Sequence, residues 1–583
     1  MIRKLFRQML LTQILSAMTV MLCMLIDSIM IGRFLGVESM SAYGYATPVL
    51  LVFAAIGSMI SAGVQVMCGK TMGIGDKEGT NACFTASVVI TAVVSAIGLA
   101  VVLIFTDPIC TLLGAGTKTE NAEVFQLTKD YLRGFIIGAP AFMFSQVMVP
   151  YMQISGSRTR LVVAVAFMTV GDIAADLINV LVVHGGTFGM GLASSISYYI
   201  AFCIGIAYFF KKDCIFQFKK ALISAKSCLQ VFRDGVPTLI NQMSLVLLTF
   251  VLNNILRHID PVLAVAAYSV ISTVGNICYS FSSGIASVAL MLSSILYSDE
   301  DKTNLKKLVR IMTGYAVVIC GIVTGLVLIF AKPLVLLFLD KPEAYKYAVI
   351  GLRIFVLSLV PCAINTSLKN YYQGVDRVGL TQTISVMQNF ALTAASAYIL
   401  SELFGIKGVW FGFLCGECLT LLFIVIYVTV KNKRFGITAD SFSLLPESYG
   451  VKDDDCLEVS LTNPDEVVTA SVAVSLFCKE HGAGSKLSSL IALTVEEMAN
   501  NIVKHGFDKE KRENSIDIRL IFKKGEPILR IRDNCRHFDP VKYTELHSSD
   551  DPVSHIGIRM VMKLVKSANY VNSMGLNNLT LTF

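Results

Sequence analysis

The sequence predicts a multi-span α-helical membrane protein of about twelve helices in two six-helix halves, carrying a small α/β sandwich at its C-terminal end. Three observations predict it. Charge divides the chain: of the 49 Lys and Arg and the 42 Asp and Glu, 55 fall in the first 450 residues, about 12%, and 36 in the last 133, about 27%. The first part holds roughly twelve apolar runs, each near the ~20 residues that a helix needs to cross a bilayer. Four short segments also recur within that part at a nearly constant offset.

The runs lie near 10–32, 44–68, 83–105, 132–152, 161–183, 188–210, 236–257, 262–296, 308–330, 347–368, 380–401 and 406–430. The first follows Arg3, Lys4 and Arg7, is of span length and lacks a small-residue cleavage site, so it is expected to anchor the chain. The first 450 residues carry about +9 net and the remainder about −2. The basic balance thus belongs to the apolar part, where it reports membrane topology and no nucleic-acid partner. Alternate loops hold Lys70 and Lys77, Arg158 and Arg160, Lys211, Lys212, Lys219, Lys220, Lys226 and Arg233, then Lys302, Lys306, Lys307 and Arg310, then Arg377. The opposite set is sparse or acidic: 106–130 has Asp107, Glu120, Glu123 and Asp130 against Lys118 and Lys129. The positive-inside rule places the N-terminus in the cytoplasm. An even number of spans returns the chain there at Lys431, Lys433 and Arg434, in the cell membrane with the polar tail cytoplasmic.

The repeat pairs SAYGYATPV at Ser41 with AAYSVISTV at Ala266, GDKE at Gly75 with DEDK at Asp299, QISGSRTR at Gln153 with QGVDRVG at Gln373, and GTFGMGLA at Gly186 with GIKGVWFG at Gly405. Four matches in order at one spacing divide residues 1–435 into halves of about 1–212 and 228–435.

A carboxylate inside a bilayer span costs several kcal/mol unless it faces a wet cavity or a partner. Asp27 lies in the first run; Asp172 and Asp176 lie in the fifth, one helical turn apart on one face. Two acids in a low dielectric cannot both ionise cheaply, which suits reversible proton binding. With carbonyls and hydroxyls they can equally hold a hard cation such as Na⁺. The bland alternative is that they are hydrogen-bonded members of the bundle. Glu417 in the last run is a further buried acid. Asn179, Asn241 and Gln242 could line a cavity, though polar glue between helices is the ordinary role of such groups. Twelve of the 15 cysteines are scattered through the membrane part, where Cys behaves as a small apolar residue.

The stretch IDSIMIGRFLG in the first run, twelve spans in two halves, and VGDIAADLINVLVVHGGTFGMGLASS at 170–195 resemble the multidrug and toxic compound extrusion (MATE) family. The last segment is similar to a family signature in which an Asn and an Asp four apart precede a Gly-x-x-Gly turn. Asp176 matches the family's Asp, and Asp172 stands where Asn is usual. The resemblance, over about 1–435, implies export of small organic molecules coupled to H⁺ or Na⁺ through a V-shaped alternating-access bundle. Asp27, Asp172 and Asp176 are then the coupling residues, with Glu417, Asn179 and Gln242 behind them. A lipid-linked saccharide flippase of the same superfamily is a further reading; scarce intramembrane Arg and Lys count against it.

Residues 436–455 read as a polar linker, and 456–583 as a separate domain: a strand at 457–462, helices from Pro464 to His481 and over 485–504, paired strands at 515–523 and 527–533, a loop-rich stretch over 534–555, a helix at 556–566 and a hairpin over 568–583. Helices on one face of a mixed sheet make the α/β sandwich. GAGSK at Gly482 is too short for a Walker loop and reads as a turn between helices. Glu497 and Asn501 share a helix face, with Asn500 beside them. An Asn oxygen can ligate Mg²⁺, and a Glu one turn earlier can orient and deprotonate a hydroxyl attacking a phosphate. Asp533 closes a strand and can accept an adenine amino proton; Gly557 opens a helix whose free N–H groups attract phosphate.

EEMANNIVKHGF, RDNCRHFDP, IGIRMV and the final NNLTLTF resemble the GHKL (Bergerat-fold) ATP-binding domains of the histidine kinase and HSP90 type, and within them the anti-sigma-factor serine kinases. This implies ATP and Mg²⁺ as cofactors, with Glu497 catalytic, Asn501 on the metal, and Asn500, Asp533 and Gly557 at the nucleotide. It also implies an anti-anti-sigma-like protein partner whose Ser is phosphorylated. Cys535 and His555 stand where the family has Gly, which leaves open whether ATP is hydrolysed or only bound. The expectation is a gradient-driven exporter regulated by its tail; the competing class is a membrane-anchored serine kinase whose transporter-like half senses a ligand.

Overall fold

The computed structural model describes residues 2–583 apart from 114, 116–121, 211–213, 260–262, 337–341, 434–437, 447–448, 452, 508–513, 524, 547–555 and 574. Lys118, Glu120, Lys211, Lys212, Arg434 and His555 lie outside the described residues.

In a bilayer every backbone N–H must be satisfied within its own segment, so the apolar runs fold as long helices. The first series is α1 (Ile2–Met30), α2 (Val37–Gly73), α3 (Lys77–Ile104), the short α4 (Thr106–Leu112), α5 (Ala122–Ile154), α6 (Arg158–Ile178) and α7 (Gly186–Phe209). The second is α8 (Ala225–Ile259), α9 (Leu263–Ser298), α10 (Lys302–Leu336), α11 (Pro342–Val356), α12 (Leu359–Gly374), α13 (Val378–Val386), α14 (Leu392–Phe404) and α15 (Ile406–Asn432). Among the described residues ten helices are long and apolar enough to span, and α11 with α12, bent by 45°, pass the same test together as a broken span or a re-entrant pair. The remaining run, 380–401, is helical as α13 and α14, but a π turn at Met387–Ala391 interrupts it and Gln388 and Asn389 make it more polar.

Burial sorts the spans. The apolar windows of α2, α5 and α9 are 61%, 67% and 78% buried, whereas those of α3 and α10 are 22% buried and turn Val93, Ile97, Val318 and Ile322 outward. α2 and α9 therefore form the centre. Small residues let them meet: a Cβ on Gly69 would lie 2.0 Å from Ser294 Oγ, and one on Gly73 2.4 Å from the Ile295 carbonyl. Lys70 at this end pairs with Asp376 at 2.8 Å and stands 4.0 Å from Asp234, tying the first series to the second.

After the one-turn α16 (Ala439–Phe442), the C-terminal part consists of β1 (Cys456–Leu461), α17 (Glu466–Glu480), α18 (Ser485–Asn501), β2 (Ile516–Lys523), β3 (Glu526–Asp533), α19 (Pro540–Leu546), α20 (Ile556–Leu564), β4 (Ser567–Ser573) and β5 (Leu576–Thr582). Gly482, at φ +74°, makes the turn between α17 and α18. The strands order as β1-β2-β3-β5-β4 and every pairing is antiparallel, which corrects the expected mixed sheet. Two helices, not one, separate β1 from β2, so the chain re-enters at the end it left and pairs antiparallel. Period-2 alternation puts Leu529, Ile531 and Asp533 on the face that meets the helices and Arg530 and Arg532 on the other. The helix-side core includes Val467, Val474, Ile491, Val495, Leu520, Leu529 and Leu581.

Candidate functional site

Three polar constellations stand out. The first is in the first helical series. Asp27 on α1 and Asp172 and Asp176 on α6 are all buried, 6%, 2% and 0% exposed. They face one another, with Cys23 and Ser197 beside Asp172, and Ser194 on α7 donates to Asp27 Oδ2 at 3.3 Å. Asp27 Oδ1, Asp172 Oδ1 and both Asp176 oxygens have no hydrogen-bond partner. Buried carboxylate oxygens left without donors are expensive, which marks a place where a proton or cation belongs. Tyr43, Tyr131 and Tyr198 close around them, with Tyr43 edge-on to Tyr131 at 5.3 Å. Among the described residues no set of three His, Cys, Asp or Glu converges as metal ligands. Asn179 is occupied elsewhere: it accepts from the Gly185 N–H at 3.1 Å and donates to the Gly186 carbonyl at 3.1 Å, closing the turn before α7.

The second helical series holds its own network, most of which sequence reasoning missed. Glu417 on α15 accepts from Asn365 Nδ2 at 2.8 Å and from Gln388 Nε2 at 3.0 Å. Gln388 Oε1 in turn accepts from Lys369 Nζ at 3.1 Å, and Lys369 also donates to Asn241 Oδ1. Lys369 is 4% exposed, yet it follows the predicted run 347–368 and reads in the sequence as a flanking loop residue. Its position three and four residues from Thr366 and Asn365 on one helix face was the available signal. Gln242, next to Asn241, is half-buried.

The third lies in the tail. Glu497 and Asn501 project from the last turns of α18, and Asn501 Nδ2 donates to the Glu497 carbonyl at 2.8 Å. A Cβ on Gly557 would lie 2.0 Å from Glu497 Oε2, so the carboxylate rests against the start of α20. Asp533 is buried at the end of β3; its Oδ1 accepts from the Cys535 N–H at 2.9 Å and from Asn577 Nδ2, its register partner on β5, at 2.8 Å. The residues named from the sequence thus gather at one end of the sheet, apart from Asn500, which turns outward and is exposed. Cys535 has no positive φ, so its backbone does not require the glycine that it replaces.

The bare face of the sheet meets the membrane part. Arg530 and Arg532 pair with Asp299 at 2.8 and 2.9 Å in the turn between α9 and α10, Arg519 donates to the Glu300 carbonyl at 3.0 Å, and Lys523 pairs with Glu300 at 2.8 Å. Asn569 on β4 donates at 2.5 Å to the carbonyl of Gly75, φ +74°, in the α2–α3 turn. These are the repeat-related segments DEDK and GDKE. A cavity of about 290 Å³ remains at the junction, between Arg519, Arg530, Arg532, Lys307, Arg310 and Asp517. Glu458 there is pushed above the usual carboxylate range by burial and by the negative charge of Asp301.

Family models match twice: MatE over 13–178 and 237–399, and the histidine kinase-like ATPase domain over 461–583. The multidrug export protein MepA of Staphylococcus haemolyticus (strain JCSC1435) is 22% identical over 409 residues, 70% of this chain and 88% of that protein. A probable multidrug resistance protein of Bacillus subtilis (strain 168), YoeA, is 23% identical over 71% of this chain and 90% of its own. Among solved structures, a MATE protein in complex with MaL6 aligns at TM-score 0.68, 20% identity, over 72% of this chain and 94% of that one. The Vibrio cholerae MATE transporter VcmN in its bent form aligns at 0.67, 18% identity, over 76% and 97%.

Proposed function

The chain belongs to the MatE family and ends in a histidine kinase-like ATPase domain; from that premise we propose a cation-coupled antiporter that exports small organic molecules and is regulated by its nucleotide-binding tail. The carrying observation is the trio Asp27, Asp172 and Asp176, buried with four carboxyl oxygens that lack hydrogen-bond partners. Such a cluster is neutral with protons bound and costly without them, so opening it to one side of the membrane releases what the other side loaded. Asp27, Asp172 and Asp176 face one another, and acids crowded together in a low dielectric are stabilised by taking up a proton. This favours H⁺ over Na⁺ as coupling ion. Export of multidrug type is carried over from relatives of which the chain covers 88–90%.

The tail fits ATP with Mg²⁺ on its own geometry. Gly557 lets the Glu497 carboxylate lie against the start of α20, whose free N–H groups would meet phosphate, and the Asn501 amide, donating through nitrogen, keeps its oxygen for the metal. Asp533, fixed by Cys535 and Asn577, would hold the adenine amino group, and Glu497 is the base for a hydroxyl or water. Bound nucleotide would supply a phosphoryl group for hydrolysis or for transfer to a partner Ser. Regulation is supported by the docking of one sheet face on both repeat-related turns, through Asn569 on the first and Arg519, Lys523, Arg530 and Arg532 on the second. The positive-inside pattern supports a cytoplasmic position for this end.

Transport in sealed vesicles tests the reading. Asp27→Asn and Asp176→Asn are expected to abolish gradient-driven export, whereas Glu497→Ala and Asn501→Ala change its regulation and leave the driving ion unchanged. Full export by both Asp variants would overturn it.

A further inference from the structure

The network around Glu417, a residue so far placed only behind the coupling acids, has a specific chemistry. Lys369 and Glu417 are both buried, at 4% and 6% exposure, and one amide joins them: Gln388 accepts from the ammonium through Oε1 and donates to the carboxylate through Nε2. Asn365 donates to the same carboxylate through Nδ2, while its own Oδ1 is buried without a partner. The other ionisable groups acting on Glu417 are Cys362 of α12 and, across the helix pair, Tyr279 of α9; Cys418 adjoins it on α15.

We propose that the second half of the transporter carries its own proton-binding site, the carboxyl group of Glu417, loaded and emptied in each cycle and tuned by Lys369 through the Gln388 amide. A metal ion does not suit this site. Hard cations want five or more oxygen ligands, whereas here two amide N–H groups already point at the carboxylate and an ammonium stands one residue away. A proton suits it. Protonated, Glu417 gains an O–H that needs an acceptor, and a half-turn of the Asn365 side chain offers the idle Oδ1 in place of Nδ2. The same asparagine thus serves both charge states, donating to the carboxylate and accepting from the acid. Proton uptake leaves the Lys369 charge unbalanced, and loss of the proton restores the pair. Partly exposed Asn241 and Asn389 hold the far end of the chain. The two clusters then differ in kind: the first brings together the acids Asp27, Asp172 and Asp176, the second joins the acid Glu417 to Lys369.

The inference rests on the antiport reading, so its test separates the two. Full-length protein is placed in proteoliposomes with ethidium as cargo, and protons moved per ethidium are read from the gradient that just halts transport. Glu417→Gln is expected to lower that ratio by one while export continues. Lys369→Met is expected to move the pH of half-maximal transport about one unit to the alkaline side, because the carboxylate loses its neighbouring cation. An unchanged ratio in Glu417→Gln overturns the site. So does a Lys369→Met/Glu417→Gln double variant that regains the wild-type ratio, since that is the behaviour of a structural ion pair. If wild-type protein moves no ethidium against a proton gradient, the antiport reading fails for that cargo, and infrared spectroscopy decides the site alone. A neutral-carboxyl band that titrates in wild type and is missing in Glu417→Gln supports it; identical spectra sink it.

Discussion

Glu497 Oε2 lies where a side chain on Gly557 would have to go. Gly557→Ala is therefore expected to push the carboxylate off the start of α20 and reduce nucleotide turnover as much as Glu497→Gln does, about 10²–10⁴-fold, measured as phosphate release by the full chain. Glu458 gives a pH effect of definite sign. Burial and Asp301 raise its value in the folded chain, so its protonated form is favoured there. The junction is strengthened as pH falls toward that raised value and loses this contribution as pH rises through it. Protease accessibility of the tail, compared at mildly acidic and neutral pH, is the check, and looser attachment in acid contradicts it. At this scale the sequence spoke clearly wherever an acid sat inside an apolar run, as Asp27, Asp172 and Asp176 do. It was silent on Lys369, whose burial comes from α8 and from the π turn at Met387–Ala391, more than a hundred residues away for Asn241 and 19 for Gln388.

The contact between α2 and α9 depends on two glycines, Gly69 and Gly73. Gly73→Ala meets the Ile295 carbonyl at 2.4 Å, and backbone cannot rotate aside as a side chain can. The expected cost is about 1–3 kcal/mol of stability in the state where α2 and α9 touch, seen as greater labelling of cysteines introduced on facing turns. Most elements could be placed from periodicity and turn residues: β2 and β3 begin and end within a residue or so of the predicted strands, because alternating Ile, Leu and charged residues leave little choice of register. The sheet's uniform antiparallel pairing could not be read, since strand direction depends on how the α17–α18 pair returns the chain. Span boundaries were also extended. α2 reaches Gly73 and α9 reaches Ser298, beyond their apolar runs, because their ends pack on protein and need not stop where the hydrocarbon does.

At the scale of the whole molecule, one acidic turn secures the tail. Asp299, whose side chain is 2% exposed, faces Arg530 and Arg532, and Asp299→Ala takes the carboxylate from two half-buried guanidinium groups, leaving Arg530 only its bond to the residue-299 carbonyl. Breaking such pairs costs about 3–5 kcal/mol, enough to free the sheet; faster cleavage within 436–455, with the membrane helices still protected, is the expected result. None of these contacts was visible in sequence, for they join residues more than 200 positions apart, though alternate arginines on one strand and an acidic triplet in a turn were there to be matched. The grip on both turns has a thermodynamic corollary. Whatever bound nucleotide does to the affinity for cargo, cargo must do by the same factor to the affinity for nucleotide. On the proposed regulation the tail is a gauge as well as a governor: its ATP occupancy registers how much cargo the membrane helices hold.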